Sequence, residues 1–72
     1  MKIRLLNTGG FRSLKNVELP VEVEGESVYG GDAYSVDFNV IASLPGFKYW
    51  DKDTEYGTQY TFFTGSECEV VE

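Results

Sequence analysis

Val17-Glu18-Leu19-Pro20-Val21-Glu22-Val23-Glu24 decides the fold class. Apolar and polar residues alternate along it: Val17, Leu19, Val21 and Val23 take one face, and Glu18, Pro20, Glu22 and Glu24 the other. A period of two marks a strand with one buried face, because successive side chains point to opposite sides of a pleated sheet. Pro20 has no N–H and belongs on an edge strand or at a bulge. The acidic face is therefore expected to look outward, near a sheet edge. Same-face positions lie about 6.6–7 Å apart, so Glu18, Glu22 and Glu24, with Glu26 just beyond, form a row of carboxylates pitched like the phosphates of one nucleic-acid strand. An ordinary solvated edge, charged against aggregation, is the competing reading.

Outward from this stretch the pattern stays that of short strands between glycine turns. In residues 1–6, Ile3 and Leu5 alternate with Lys2 and Arg4, and Asn7-Thr8-Gly9-Gly10 reads as a turn. Gly25 and Gly30-Gly31 leave 27–29 as at most a short strand. Residues 34–44 admit two readings. Val36, Phe38, Val40 and Ala42 alternate as a strand would, whereas Val36, Val40, Ile41 and Leu44 fit one helical face. The β-branched and aromatic content favours strand, and Pro45-Gly46 ends either element. Residues 47–63 read as a hairpin: an aromatic arm of Phe47, Tyr49 and Trp50, the polar tip Asp51-Lys52-Asp53-Thr54-Glu55, and a returning arm of Tyr56, Tyr60, Phe62 and Phe63. A last strand over 67–71 places Cys68 and Val70 inward. The expectation is a single all-β domain over residues 1–72, a small antiparallel barrel or rolled sheet of about five strands, with the SH3-like type fitting this length best.

Seventy-two residues make a thin core, and the usual staples are missing. One cysteine cannot form an internal disulfide, and the lack of histidine almost excludes structural zinc. Eleven aromatic rings, five Phe, five Tyr and Trp50, must supply much of the packing. They strain so small a core, so some of Tyr29, Tyr34, Tyr49, Trp50 and Tyr56 should stay partly exposed. Dimerisation, or docking on a larger partner, is a further route to stability. No apolar run nears the ~20 residues that span a bilayer, the N-terminus lacks the features of a signal peptide, and a cytoplasmic location is expected.

Charge is divided along the chain. Residues 1–15 carry Lys2, Arg4, Arg12 and Lys15 and no acid, while residues 16–72 carry all twelve acids and only Lys48 and Lys52, for a net charge of −6. The cationic head is expected to fold as the first strand and its turn against an acidic sheet, part of its charge being neutralised within the monomer. The acidic balance disfavours anionic lipid and phosphate backbones and favours a cationic partner.

Catalysis is disfavoured. There is no histidine to act as a base near neutral pH, and the Ser and Thr hydroxyls have no evident activating group. Cys68 lies between Glu67 and Glu69, whose charges raise a thiol pKa. The acids of 51–55 resemble the opening of a calcium loop, but Gly57 comes one residue late and Phe62 stands where the closing Glu belongs. The glycine pairs match no phosphate loop, and no cofactor is expected. Exposed Tyr49, Trp50 and Tyr56 beside Asp51, Asp53 and Glu55 make good protein-interface anchors.

The two ends of the chain carry a resemblance. Met1-Lys2-Ile3-Arg4-Leu5-Leu6-Asn7, a glycine pair, Asn16-Val17 leading into Pro20-Val21-Glu22-Val23-Glu24, Tyr60-Thr61-Phe62-Phe63 and Glu67-Cys68-Glu69-Val70-Val71-Glu72 resemble a group of short accessory proteins encoded by tailed bacteriophages. The match covers the first 24 residues and about the last 13; its motifs are strands and turns, none of them catalytic. The resemblance implies a phage accessory protein acting in the infected bacterial cytoplasm, of the small acidic sort that blocks a host enzyme or defence complex. The leading expectation is a non-enzymatic inhibitor of a nucleic-acid-handling host protein, a restriction, CRISPR or nuclease component. Glu18, Glu22, Glu24, Glu26, Asp51, Asp53 and Glu55 would meet its basic surface, with Tyr49, Trp50 and Tyr56 as apolar anchors and no direct contact with nucleic acid. The alternative is a structural or assembly module that self-associates or docks on a virion protein. A nucleotide sponge is a third reading, against which the net negative charge argues.

Overall fold

A computed structural model describes residues 1–54 and 57–71. Strand β1 (Lys2–Leu5) forms as its alternation dictates, with Ile3 and Leu5 fully buried and Leu6 turning outward. The Asn7 side chain closes the following turn by accepting from the Gly9 N–H at 2.9 Å, and a 3₁₀ turn at Arg12–Leu14 buries Ser13 and Leu14. Then come β2 (Val21–Glu24), β3 (Glu26–Val28), a tight turn at Tyr29–Gly31, β4 (Ala33–Asp37), α1 (Phe38–Ala42), a 3₁₀ turn at Asp51–Thr54, β5 (Gln59–Phe63) and β6 (Cys68–Val70).

The six strands form two three-stranded antiparallel sheets, ordered β2-β1-β6 and β3-β4-β5. The described residues are thus mostly β, with one short helix, but they do not close a barrel. The chain crosses from one sheet to the other at Gly25, which is buried. A Cβ there would lie 3.0 Å from the Ile3 side chain and 3.4 Å from the Ser35 carbonyl oxygen, so the absence of a side chain lets the sheets approach. Between them sits one core of Ile3, Leu5, Leu14, Val17, Val23, Tyr34, Val36, Ile41, Tyr60, Phe62 and Cys68.

Four expectations are corrected. The strand expected over 17–24 begins only at Val21. Val17 closes a turn after Leu14 (N to O 3.0 Å) and Pro20 has no N–H for a ladder, yet Val17 is buried because the loop folds back over the core. Residues 34–44 are neither all strand nor all helix: β4 ends at Asp37, whose carboxylate accepts from the Asn39 N–H at 3.0 Å and caps α1. The strand face then buries Val36, and the helix packs Val40 and Ile41 on the same core. The hairpin over 47–63 does not form. β5 pairs with β4, while residues 47–50 lie outside both sheets, held by the Lys48 N–H on the Ser13 carbonyl at 3.1 Å. Finally, Cys68 is fully buried but Val70 is 40% exposed, because β6 ends at the rim of its sheet.

Candidate functional site

The outer face of the first sheet sets the fate of the acidic row. The β1–β2 register places Lys2 opposite Glu24 and Arg4 opposite Glu22, and the β1–β6 register places Arg4 opposite Glu69. Arg4 reaches both neighbours, with Nη2 3.2 Å from Glu22 Oε2 and Nη1 2.7 Å from Glu69 Oε1. The hydrogen bonds it donates to Glu22, then to Glu69, push its guanidinium pKa up. The Met1 ammonium lies 2.5 Å from Glu24 Oε2. Arg4 and the N-terminal ammonium are thus spent on the acids beside them, so part of the head's charge is neutralised within the monomer.

The row itself does not survive as a straight ladder. β2 does lie at a sheet edge, but only Glu22 and Glu24 occupy same-face positions within one strand. Glu18 is exposed in the preceding loop, and Glu26 is exposed in β3 of the other sheet. What forms in its place is a groove where the sheets meet, about 470 Å³ in volume, lined by Glu24, Gly25, Glu26, Ser35, Asp37 and Gln59 with apolar contributions from Met1 and Val40. Its floor is ordered: Ser35 Oγ donates to Gln59 Oε1 at 2.7 Å, and Gln59 Nε2 donates to Asp37 Oδ1 at 3.0 Å. Asp37, absent from the sequence-derived site, joins it because β4 lies between β3 and β5. The groove offers three carboxylates, two of them on exposed residues. Among the described residues, no group of three or more carboxylate or thiol side chains is placed to hold a metal ion.

Asp51 and Asp53 do not extend this acidic surface as a solvated tip. Asp51 is exposed on its 3₁₀ turn. Asp53 folds inward, and its Oδ2 accepts from the Ser13 N–H at 2.8 Å and the Ser13 hydroxyl at 2.7 Å. Since Ser13 has given its hydroxyl proton to Asp53, the Tyr60 hydroxyl 3.0 Å away is the donor to Ser13 Oγ. Burial pushes the Tyr60 hydroxyl above its ordinary value of 10.0. Asp53 is thereby a structural anchor tying the second 3₁₀ turn to the first. Glu55 and Tyr56 lie outside the described residues.

The anchoring has a consequence that the linear sequence hides. It sets Tyr49 and Trp50 against Arg12 and Lys15 of the cationic head. Arg12 stacks over the Trp50 ring, its guanidinium carbon 5.0 Å from the centroid. Arg12, Lys15, Asn16, Lys48, Tyr49 and Trp50 line a cleft of about 270 Å³. Phe38 of α1 meets Phe47 and Tyr49 edge-on at 5.8 and 6.1 Å and supports the aromatic segment from behind. The signal for this cleft was present in the sequence as two separated segments, 12–16 and 48–50, with 32 positions between Lys15 and Lys48; nothing in a linear pattern brings them together.

Tyr29 (72% exposed) and Tyr49 (58%) stay outside the core as expected of some tyrosines, while Tyr34 is buried. Tyr29 also holds a left-handed backbone, φ 53°, unusual for a residue with a side chain. Cys68 is buried, and desolvation is the main cause of its raised pKa, with the Glu67 charge a smaller contribution. No helix among the described residues is long and apolar enough to cross a membrane. No protein-family model matches the chain, and neither a curated protein nor a solved structure does.

Proposed function

We propose that this chain is a non-enzymatic phage accessory protein that docks on a basic surface of a host nucleic-acid-handling or defence protein. The observation that carries the reading is the groove at the sheet junction, where Glu24, Glu26 and Asp37 converge on an ordered polar floor. Lys or Arg side chains of a partner fit such a groove, their charge answering the carboxylates and their methylene stems lying on Met1 and Val40. Mimicry of a nucleic-acid strand is narrowed by the ion pairs on this face: Arg4 holds Glu22 and the Met1 ammonium holds Glu24, so the contact centres on Glu26, with Glu24 beside it. Tyr49 and Trp50 sit among cations and are not part of it.

An SH3-like roll belongs to the same proposal. If β2 and β3 are counted as one strand bent at Gly25, there are five strands in the spatial order β6-β1-(β2β3)-β4-β5, and the bent strand serves both sheets. That shared bent strand is what supports the assignment.

The test is capture from host lysate at low and high salt, with wild type and a Glu24→Gln/Glu26→Gln double variant. The expected result is a basic nucleic-acid-binding host protein retained by wild type at low salt, released by high salt and lost with the double variant. Equal recovery by both proteins, or recovery of no basic protein, overturns the reading.

A further inference from the structure

We propose that the cleft between the first 3₁₀ turn and the 48–50 segment is a nucleotide-binding site, with the phosphates on Arg12, Lys15 and Lys48 and the planar base against Tyr49 and Trp50. Three of the chain's six cations line this one cleft, and no acidic residue among the described residues does. Exposed cations repel one another, and without an anion their convergence carries a cost. The side chains of two of them, Lys15 and Lys48, make no hydrogen bond or ion pair with any described residue, in a protein where acids outnumber cations two to one; their backbone N–H groups are bonded, Lys15 to the Arg12 carbonyl and Lys48 to the Ser13 carbonyl, both at 3.1 Å. Arg4 shows what a cation does here when a carboxylate is in reach: it takes two. The cleft cations have been left for something else.

The rings define what that is. A bare anion needs only charge, but this cleft adds an exposed tyrosine and a tryptophan whose ring already stacks with Arg12. A guanidinium and an aromatic face together suit a ligand that joins phosphate to a flat ring. The volume of about 270 Å³ lies just below the range of about 300–1,000 Å³ for small-molecule sites, so it seats one phosphorylated ring and not a folded partner. The geometry is fixed in advance: the Lys48 N–H is bonded to the Ser13 carbonyl, the Asp53 N–H to the Trp50 carbonyl at 3.0 Å, and the Asp53 carboxylate to Ser13. Those bonds hold the Asp53 carboxylate on Ser13, and Asp53 does not line the cleft. The whole-chain charge of −6 lowers the affinity for a polyanionic strand along the surface, but acts less on a single nucleotide held within Coulombic reach of three cations. The cleft shares no residue with the acidic groove, so this proposal and the docking proposal stand or fall separately.

Trp50 is the sole tryptophan and reports directly. The pure protein is titrated with ATP, pyrophosphate and adenosine while its tryptophan fluorescence is followed. The expected result is a saturable change with ATP at micromolar to millimolar concentration. Pyrophosphate should bind at least threefold more weakly and adenosine should give no saturable change. Lys15→Ala and Lys48→Ala should each weaken ATP at least fivefold. Lys52→Ala, which removes the same charge outside the cleft, should change it less than twofold. Unchanged circular dichroism verifies that the variants fold. No saturable change with ATP overturns the proposal. Pyrophosphate binding as tightly as ATP, or equal losses in all three lysine variants, does so as well, since either result removes the ring contact or the cleft.

Discussion

Ser13 shows how much one small residue can organise. It is 1% exposed, and its N–H, hydroxyl and carbonyl all serve other segments: Asp53 takes the first two, Tyr60 donates to the hydroxyl oxygen, and Lys48 donates to the carbonyl. Replacing Ser13 by alanine removes the hydroxyl alone. It deprives the Tyr60 hydroxyl of its acceptor and Asp53 of one of its two donors from Ser13. The cost of leaving such groups unmet is about 1–3 kcal/mol. Urea unfolding of Ser13→Ala should show that loss in midpoint at an unchanged slope, and Trp50 fluorescence should shift as its segment loosens. An unaltered midpoint would mean that water replaces the hydroxyl without cost. Arg4 works differently. Its ion pairs are exposed to solvent and matter for the surface field more than for stability.

At the scale of elements, the connections carry more of the architecture than the strands do. Gly46, in the loop after α1, has φ +92°, and a Cβ there would clash with the Asn16 carbonyl group. The loop after α1 therefore passes directly over the loop after the first 3₁₀ turn, and this crossing builds the basic cleft. Gly46→Ala meets backbone on both counts, a disfavoured φ and a clash that no side-chain rotation relieves. The expected outcome is a loss of about 2 kcal/mol or more, read by thermal unfolding. The loss should come with an increase in Trp50 solvent exposure, read by quenching. The Asp37 cap belongs to the same scale. With one carboxylate oxygen on the Asn39 N–H and the other on Gln59, it turns a strand into a helix within one residue and fixes one wall of the acidic groove.

For the whole molecule, stability depends on keeping two buried acids protonated. Burial raises the Cys68 thiol above its ordinary 9.0 and the Tyr60 hydroxyl above 10.0. A raised folded-state value means that the native form holds its proton more tightly than the unfolded chain. The resulting stabilisation is complete below about pH 9. It is lost as pH rises through the folded-state values of the two groups. Urea melts from neutral pH upward should therefore show a midpoint insensitive to Cys68 and Tyr60 until that value and falling above it. Tyr60→Phe should flatten the upper part of the fall. A midpoint that falls identically in wild type and Tyr60→Phe would exclude Tyr60 from the effect. The charge distribution also acts at this scale: an acidic groove at the sheet junction and a basic cleft beside the 3₁₀ turns coexist on a molecule 28 × 25 × 19 Å in extent.

The sequence by itself determined the β class, the first strand with its buried Ile3 and Leu5, the Asn7–Gly10 turn, the edge position of Val21–Glu24 and the partial neutralisation of the cationic head by the acidic sheet. Each of these is local, set by a period of two, by glycine, or by charges on adjacent strands. It misread 17–20, 38–44 and 47–50 because alternation in short apolar runs does not distinguish a strand from a loop folded over a core or a helix capped at one residue. Only the tertiary structure decided where the chemistry lies. It moved Asp53 from a solvated tip to an internal anchor, brought Asp37 to Glu24 and Glu26, and set Trp50 and Lys48 against Arg12 and Lys15. The physical reason is that hydrogen bonds between residues 22–24 positions apart assemble the groove and bonds between residues 35–40 apart assemble the cleft, and no periodicity along the chain records contacts at those separations.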